Sequence, residues 1–410
     1  MPDSPDSKYP YSSRAATFEP FGEHVSRGKA ALYSQLGLDV CMGRRDGAHF
    51  YDAFGDRRWW NCHCNGGVFN LGHRNPAVVA AVRDALEHLD IGNHHLVSGY
   101  RARLAERLAA TTGGALPGVV FAVAGGEAID LAIKVCRGVT GRRGIVSARG
   151  GYHGHTGLSL AAGDPQYREP FGPNLDGFAQ VPFDDLAAMD AAIDDDTAAV
   201  LLEPVPATLG MPIARDGYFA GVQRLCRERG AKLVLDEVQT GLGRTGAMWC
   251  YQLDGLAPDA VVTGKGLSGG IYPIAATLMT RELHALFDDR PFIHISTFGG
   301  AELGCAAALA VLDAIEAPGF LDRVRRQADV FAAGLGAERF PFELRQRGLM
   351  MGLAFAAPRG GMFAAKLLYD AGVFCAWANN DEAVLQFLPP LILTDAQVDE
   401  LVATVQRAFA

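Results

Sequence analysis

The sequence has no apolar run approaching the roughly 18–20 residues that a membrane-crossing helix needs, so no membrane association is expected. It has no basic block either. Lys and Arg number 37 against 46 Asp and Glu, a formal charge of -9, which argues against nucleic acid as a partner. The eight cysteines follow no disulfide framework, and Cys136, Cys226 and Cys305 fall on apolar helical stretches where a buried thiol is the ordinary reading. A reducing, cytoplasmic setting is therefore expected. Cys62-His63-Cys64 lacks the second ligand pair of a zinc site, and no metal is expected. The opening MPDSPDSKYPYSS shows neither a secretory nor a transit pattern and reads as a polar arm.

What is present is the composition of a soluble enzyme, 49% hydrophobic and 20% charged over 410 residues. That length exceeds one compact core, so two lobes are expected. Short runs that are apolar throughout appear at 144–148, 198–204, 232–237, 259–264 and 274–280, interleaved with helical stretches such as 126–139 and 216–229. Strands without alternation are covered on both faces, which predicts an α/β fold around a mostly parallel sheet. Asn75-Pro76 opens a helix, 304–317 and 320–336 read as helices, and Thr394 with Gln397 forms a capping-box signal. The predicted division is an N-terminal arm and small-domain segment (1–70), a large domain (71–305) and a C-terminal small domain (306–410).

Within VVTGKGLSGG, Lys265 stands among glycines after a strand. A phosphate-binding P-loop would need Gly at 259 and Ser or Thr at 266, where the chain has Asp259 and Gly266. A lysine beside a buried strand is instead suited to forming a Schiff base with an aldehyde, because desolvation favours its neutral amine. If that aldehyde is pyridoxal 5'-phosphate, a carboxylate must face the pyridine nitrogen, an aromatic the ring, and a cradle the phosphate. Asp236 ends the run KLVLD, Tyr152 follows the run GIVSA, and Gly125-Gly126 opens a helix whose free N–H groups suit an anion.

The segments LVLDEVQTGLGRTG and PDAVVTGKGLSGGIYPIAA resemble the signature of the class III (ornithine, acetylornithine and GABA type) aminotransferases, of fold type I among pyridoxal-phosphate enzymes. Further matches are NLGHRNPAVVAAV, GGEAIDLAIK, GGYHGHT, LLEPV, STFGGAELGCAAALAVLD and LQFLPPLILT. The resemblance implies a seven-stranded-type, mostly parallel sheet with a smaller α+β domain. It implies that Lys265 carries the cofactor and shuttles a proton, and that Asp236 pairs with the pyridine nitrogen. It also implies that Val238 packs under the ring, Gln239 lies near the phenolic oxygen, Tyr152 stacks on the ring, and Gly125 and Gly126 hold the phosphate. Thr297 corresponds to the threonine that reaches the neighbouring subunit's phosphate, which implies a homodimer. The implied reaction is ping-pong transfer from an amine donor to an oxo acceptor.

The chain departs from that pattern at several positions. Val123-Ala124-Gly125-Gly126-Glu127-Ala128 stands where the family has N-S-G-[AT]-E-A, so one phosphate hydroxyl is lost. His155 and Gln386 occupy positions where many members carry carboxylate-gripping arginines. Glu203, which in the family often pairs with the second arginine, is retained, and is expected to be free for a substrate ammonium or polar head. Ala301-Glu302 replaces the usual Asn-Pro without an evident reason. The missing arginines and the YHGH sequence also resemble the aminomutase and amino-alcohol-phosphate lyase branches, the alternative reading. Arg244 is expected to be structural near an interface, and Trp59 and Trp60 to pack the N-terminal segment.

Overall fold

The expected runs are strands of one sheet. In the computed structural model, which describes residues 9–172, 175–336 and 340–410, a seven-stranded sheet lies at the centre of the chain. Its spatial order is Gly118–Ala122, Ala275–Met279, Ala260–Thr263, Lys232–Asp236, Thr197–Leu202, Gly144–Ala148 and Phe178–Val181. The last five are mutually parallel, and Ala275–Met279 runs antiparallel to both neighbours. Alternate residues serve opposite faces. Ala199 and Leu201 pack on the side of the helix Gly125–Thr140, whereas Val200 and Leu202 pack on the side of Pro76–Leu86 and Glu302–Glu316. Each Val or Leu buried this way contributes about 1.5–3 kcal/mol relative to exposure.

Helix boundaries follow the predicted caps. Asn75 Oδ1 accepts from the N–H groups of Ala77 and Val78, with Pro76 in the first turn. Thr394 and Gln397 form a reciprocal capping box at the start of Asp395–Ala408. No single helix is long and apolar enough to cross a membrane among the described residues. The first eight residues of the expected arm lie outside the described residues. From Arg14 the chain is helical, and the helices Arg14–Pro20 and Arg27–Leu36 have no buried residue.

Two four-stranded sheets flank the centre. One combines Met42–Asp46, His49–Asp52 and Arg58–Asn61 with Val373–Phe374, which adds in parallel and ties the two ends of the chain together. Trp59, 1% exposed, stacks on Tyr369 and donates Nε1–H to its carbonyl at 2.9 Å. The other sheet runs Phe342–Arg347, Met350–Phe355, Asp381–Phe387, Ala376–Ala378.

Arg244 joins these parts from within the chain, a structural role as expected. It is fully buried, and its guanidinium donates to Leu349 O (3.0 Å), Pro389 O (2.6 Å) and Asn70 Oδ1 (2.6 Å). Removing it strands these carbonyl acceptors in a dry interior. Arg244→Ala is expected to lower stability by roughly 3 kcal/mol or more in urea unfolding. A loss below about 1 kcal/mol would show that the carbonyls find other donors.

Candidate active site

Parallel strands end together, so residues just past their carboxyl ends converge. Asp236 ends its strand, Lys265 follows Ala260–Thr263, Glu203 follows Thr197–Leu202, and Tyr152 follows Gly144–Ala148 across two glycines. Lys265 has φ +38, a left-handed conformation uncommon outside glycine, and such strain persists only where surroundings hold it. Here the Lys265 carbonyl accepts the Ser268 hydroxyl at 2.6 Å, and Lys265 Nζ donates to Gln239 Oε1 at 2.8 Å. Burial lowers the amine below the ordinary lysine value, against the opposing pull of Asp236 and Glu203.

Asp236 is 6% exposed and is held on both oxygens. Oδ1 accepts Val238 N–H at 3.1 Å and Oδ2 meets His153 Nδ1 at 2.9 Å. Burial opposes the charged imidazole, but the hydrogen bond and charge of Asp236 outweigh it, so His153 is raised above the usual histidine value. The pair gives a carboxylate buried inside the fold a hydrogen-bond partner. Glu203 is pushed up to about 7, chiefly by burial. It is less open than expected, because Oε1 accepts Tyr152 N–H at 2.9 Å and Oε2 accepts Ala207 N–H at 3.4 Å.

Glycine is required where backbones close around the lysine. A Cβ on Gly66, at φ +66, would lie 3.3 Å from Lys265 Nζ. One on Gly125 would meet Val238 at 3.3 Å, and one on Gly154 would fall 2.6 Å from Gly126 Cα. The helix Gly125–Thr140 begins at Ala124 without a side-chain cap, which leaves N–H groups of its first turn free. A cavity of about 310 Å³ opens there, lined by Val123, Ala124, Gly125, Lys265, Ser268 and Tyr272.

The profile of the family described as aminotransferase class-III matches residues 33–409. The chain belongs to the class-III aminotransferase family. A protein from Archaeoglobus fulgidus described as an uncharacterized aminotransferase is 50% identical over 390 residues, covering 94% of this chain and 92% of that one. A crystal structure of ornithine aminotransferase from Toxoplasma gondii, described with partial occupancy of PLP at its active site, superposes with TM-score 0.89 at 24% identity, covering 97% and 94% of the two chains. N-acetylornithine aminotransferase from Stenotrophomonas maltophilia gives 0.78 at 28% identity, with 92% and 97% covered.

The family is dependent on pyridoxal phosphate, and the features of this aminotransferase suit that group. Gln239 Nε2 is a buried donor with no partner among the described residues, a Cβ on Gly125 or Gly126 would crowd its neighbours at 3.3 or 3.0 Å, and the first-turn N–H groups of the Gly125 helix have no side-chain cap. Of the other expected residues, His155 lies in the same loop as Tyr152, their rings 5.1 Å apart. Gln386 is buried on the strand Asp381–Phe387, between Gly352 and Ala376. Thr297 is exposed and forms no hydrogen bond within the chain among the described residues.

Two contributors were not legible as such in the sequence. His153 has one available sequence signal, adjacency to Tyr152 at a strand end neighbouring that of Glu203. His63, passed over in the Cys-His-Cys triplet, is lowered to about 4 by burial and then by the Lys265 charge, and so stays neutral.

The lowered Lys265 value has a signed consequence: its neutral, reactive amine appears at lower pH than an ordinary lysine's. In cofactor-stripped protein treated with a small aldehyde and cyanoborohydride, the Lys265 peptide is expected to label with a midpoint below the usual lysine value of about 10.4. Exposed-lysine peptides provide the reference, and identical pH curves would refute the desolvated amine.

Proposed function

We propose that the chain is a pyridoxal-phosphate-dependent aminotransferase that takes an amino group from a primary amine or amino acid and passes it to an oxo acid or aldehyde in ping-pong half reactions. The observation that carries this reading is the buried Asp236–His153 pair at a strand end next to that from which Lys265 issues. When bound, the cofactor supplies an electron sink for the bonds at the substrate carbon. Lys265 would hold its aldehyde carbon and Asp236 its pyridine nitrogen, while Val238 and Tyr152 would cover the ring faces. Gln239 would use its spare donor on the phenolic oxygen, and Gly125 and Gly126 their amides on the phosphate.

The chain's own groups then have defined tasks. His153 fixes the Asp236 carboxylate in direction. Lys265 Nζ would take the proton from the substrate carbon and return it across the cleft. Leu96, Val97, Phe292 and Phe298 are exposed apolar residues; Phe292 and Phe298 are close to Thr297 in sequence, and Phe292 meets the ring of His95, next to Leu96, at 5.6 Å, apolar exposure suited to a second copy. A homodimer in which Thr297 reaches the neighbouring site fits that exposure.

Substrate reading lacks arginine at His155 and Gln386. The charges that act on Lys265 are those of Asp236 and Glu203, both acidic. Losing a bidentate arginine–carboxylate contact removes about 1–2 kcal/mol per site, so donors gripped by a carboxylate are disfavoured. Diamines and carboxylate-free amines are the favoured donors. Glu203 braces the loop and keeps the cleft acidic.

A half-reaction screen tests this. The holoenzyme is expected to convert from its aldehyde-form to its amine-form absorbance with carboxylate-free amines, and poorly with 2-amino dicarboxylates. Gln386→Arg is expected to improve carboxylate-bearing donors about tenfold. Conversion only by ordinary dicarboxylates, or no change in preference in the variant, would refute this substrate reading. Release of ammonia or phosphate without conversion would favour the lyase or mutase alternative.

A further inference from the structure

Asn380 sits in the turn between Ala376–Ala378 and Asp381–Phe387, at the tip of the C-terminal sheet. A turn residue is ordinarily solvated. This one spends its hydrogen-bonding groups on loops of the central sheet. Its backbone N–H donates to Thr208 O at 2.9 Å. Nδ2 donates to Gly150 O at 2.7 Å and to Thr208 Oγ1 at 3.4 Å. Oδ1 accepts from Tyr167 OH at 2.9 Å and from Gln166 Nε2. A primary amide has two donors and two acceptor lone pairs, and all are used here.

The partners are the supports of the cleft wall. Gly150 lies two residues before Tyr152, and its carbonyl also accepts the Thr208 hydroxyl at 3.3 Å. The Tyr167 ring meets Tyr152 edge-on at 5.8 Å and His155 at 5.1 Å. Asn380 therefore touches Tyr152 by two routes, through the backbone before it and through the ring beside it. Thr208 follows the loop that Glu203 braces, the same Glu203 that accepts Tyr152 N–H.

We propose that Asn380 is a positioning residue for the transfer reaction: from the C-terminal sheet it fixes the wall of Tyr152, His155 and Tyr167 that the substrate and cofactor meet. The inference rests on the proposed function in one respect, that Tyr152 covers the cofactor ring. A wall contacting substrate in ground and transition states alike acts on KM more than on kcat. A simple staple between sheets would act on stability alone.

The test compares Asn380→Ala, Asn380→Asp and Tyr167→Phe in the holoenzyme. Loss of the amide is expected to raise donor KM about tenfold while kcat changes by less than about threefold. The visible circular dichroism of the bound cofactor is expected to weaken, and peptides spanning 150–168 to exchange hydrogen faster. Asn380→Asp, which keeps the acceptor for Tyr167 and loses the donors to Gly150, is expected to fall between wild type and Asn380→Ala. Tyr167→Phe keeps the ring and removes only the hydroxyl. It is expected to move KM in the same direction, and it carries the prediction if Asn380→Ala does not fold.

Unchanged KM and dichroism in these variants would overturn the proposal, even with a lowered melting temperature, because a staple explains that alone. If the wild type bound no cofactor, the proposed function would fall separately. Exchange in 150–168 would still decide the positioning of the wall, supporting it if faster in Asn380→Ala and overturning it if unchanged.

Discussion

A carboxylate buried at a strand end is the constraint on which the site depends. Asp236 is 6% exposed, and an ionised group so placed is strongly disfavoured unless charge and hydrogen bonds surround it. Val238 N–H and His153 Nδ1 provide both, and each demands something of the chain. The first requires the backbone to turn sharply after the strand. The second requires the loop after Gly144–Ala148 to come back over the strand ends, where Tyr152 N–H is tied to Glu203. One buried carboxylate thereby places the aromatic wall, the loop after Thr197–Leu202 and the floor of the cleft.

Close approach is the second constraint, and it explains where glycines fall. Gly154 and Gly126 pass within a distance that no side chain tolerates, which lets the Tyr152 loop lie on the start of the helix Gly125–Thr140. The strained Lys265 backbone and the left-handed Gly66 face one another across the amine. His63, kept neutral by burial, and a buried Lys265 lowered below the ordinary lysine value share this side of the cleft, both shifted chiefly by desolvation.

The parts of this architecture visible in the sequence are those governed by local pattern. Interior strands such as Thr197–Leu202, buried at every position, read as unbroken apolar runs. The edge strands Gly118–Ala122 and Phe178–Val181, buried on fewer positions, were not distinguishable from loops. Asp236 and Lys265 were legible because strand-end position and flanking glycines are sequence properties. His153, Asn380 and Arg244 act through partners 83 to 230 residues away, and such pairings leave no periodic trace in one chain. Glu203 was legible as a carboxylate near the site, but its capture by Tyr152 and Ala207 amides depends on loop conformation.

The site is consequently divided between two kinds of support. Asp236 and Lys265, assigned to the cofactor, stand at the ends of parallel strands, where the ladder and the apolar core on both faces hold them rigidly. The residues proposed to meet a substrate, Tyr152, His155 and Tyr167, stand on loops, and loops acquire definition only from what they touch. Their outer contact is Asn380, carried by a sheet that also bears Gln386. The same C-terminal strand, Asp381–Phe387, thus carries a residue at a position associated with substrate charge and begins next to the turn that fixes the aromatic wall. A change in how that sheet seats would alter substrate recognition at both places, while Asp236, His153 and Lys265 stayed where the central sheet holds them.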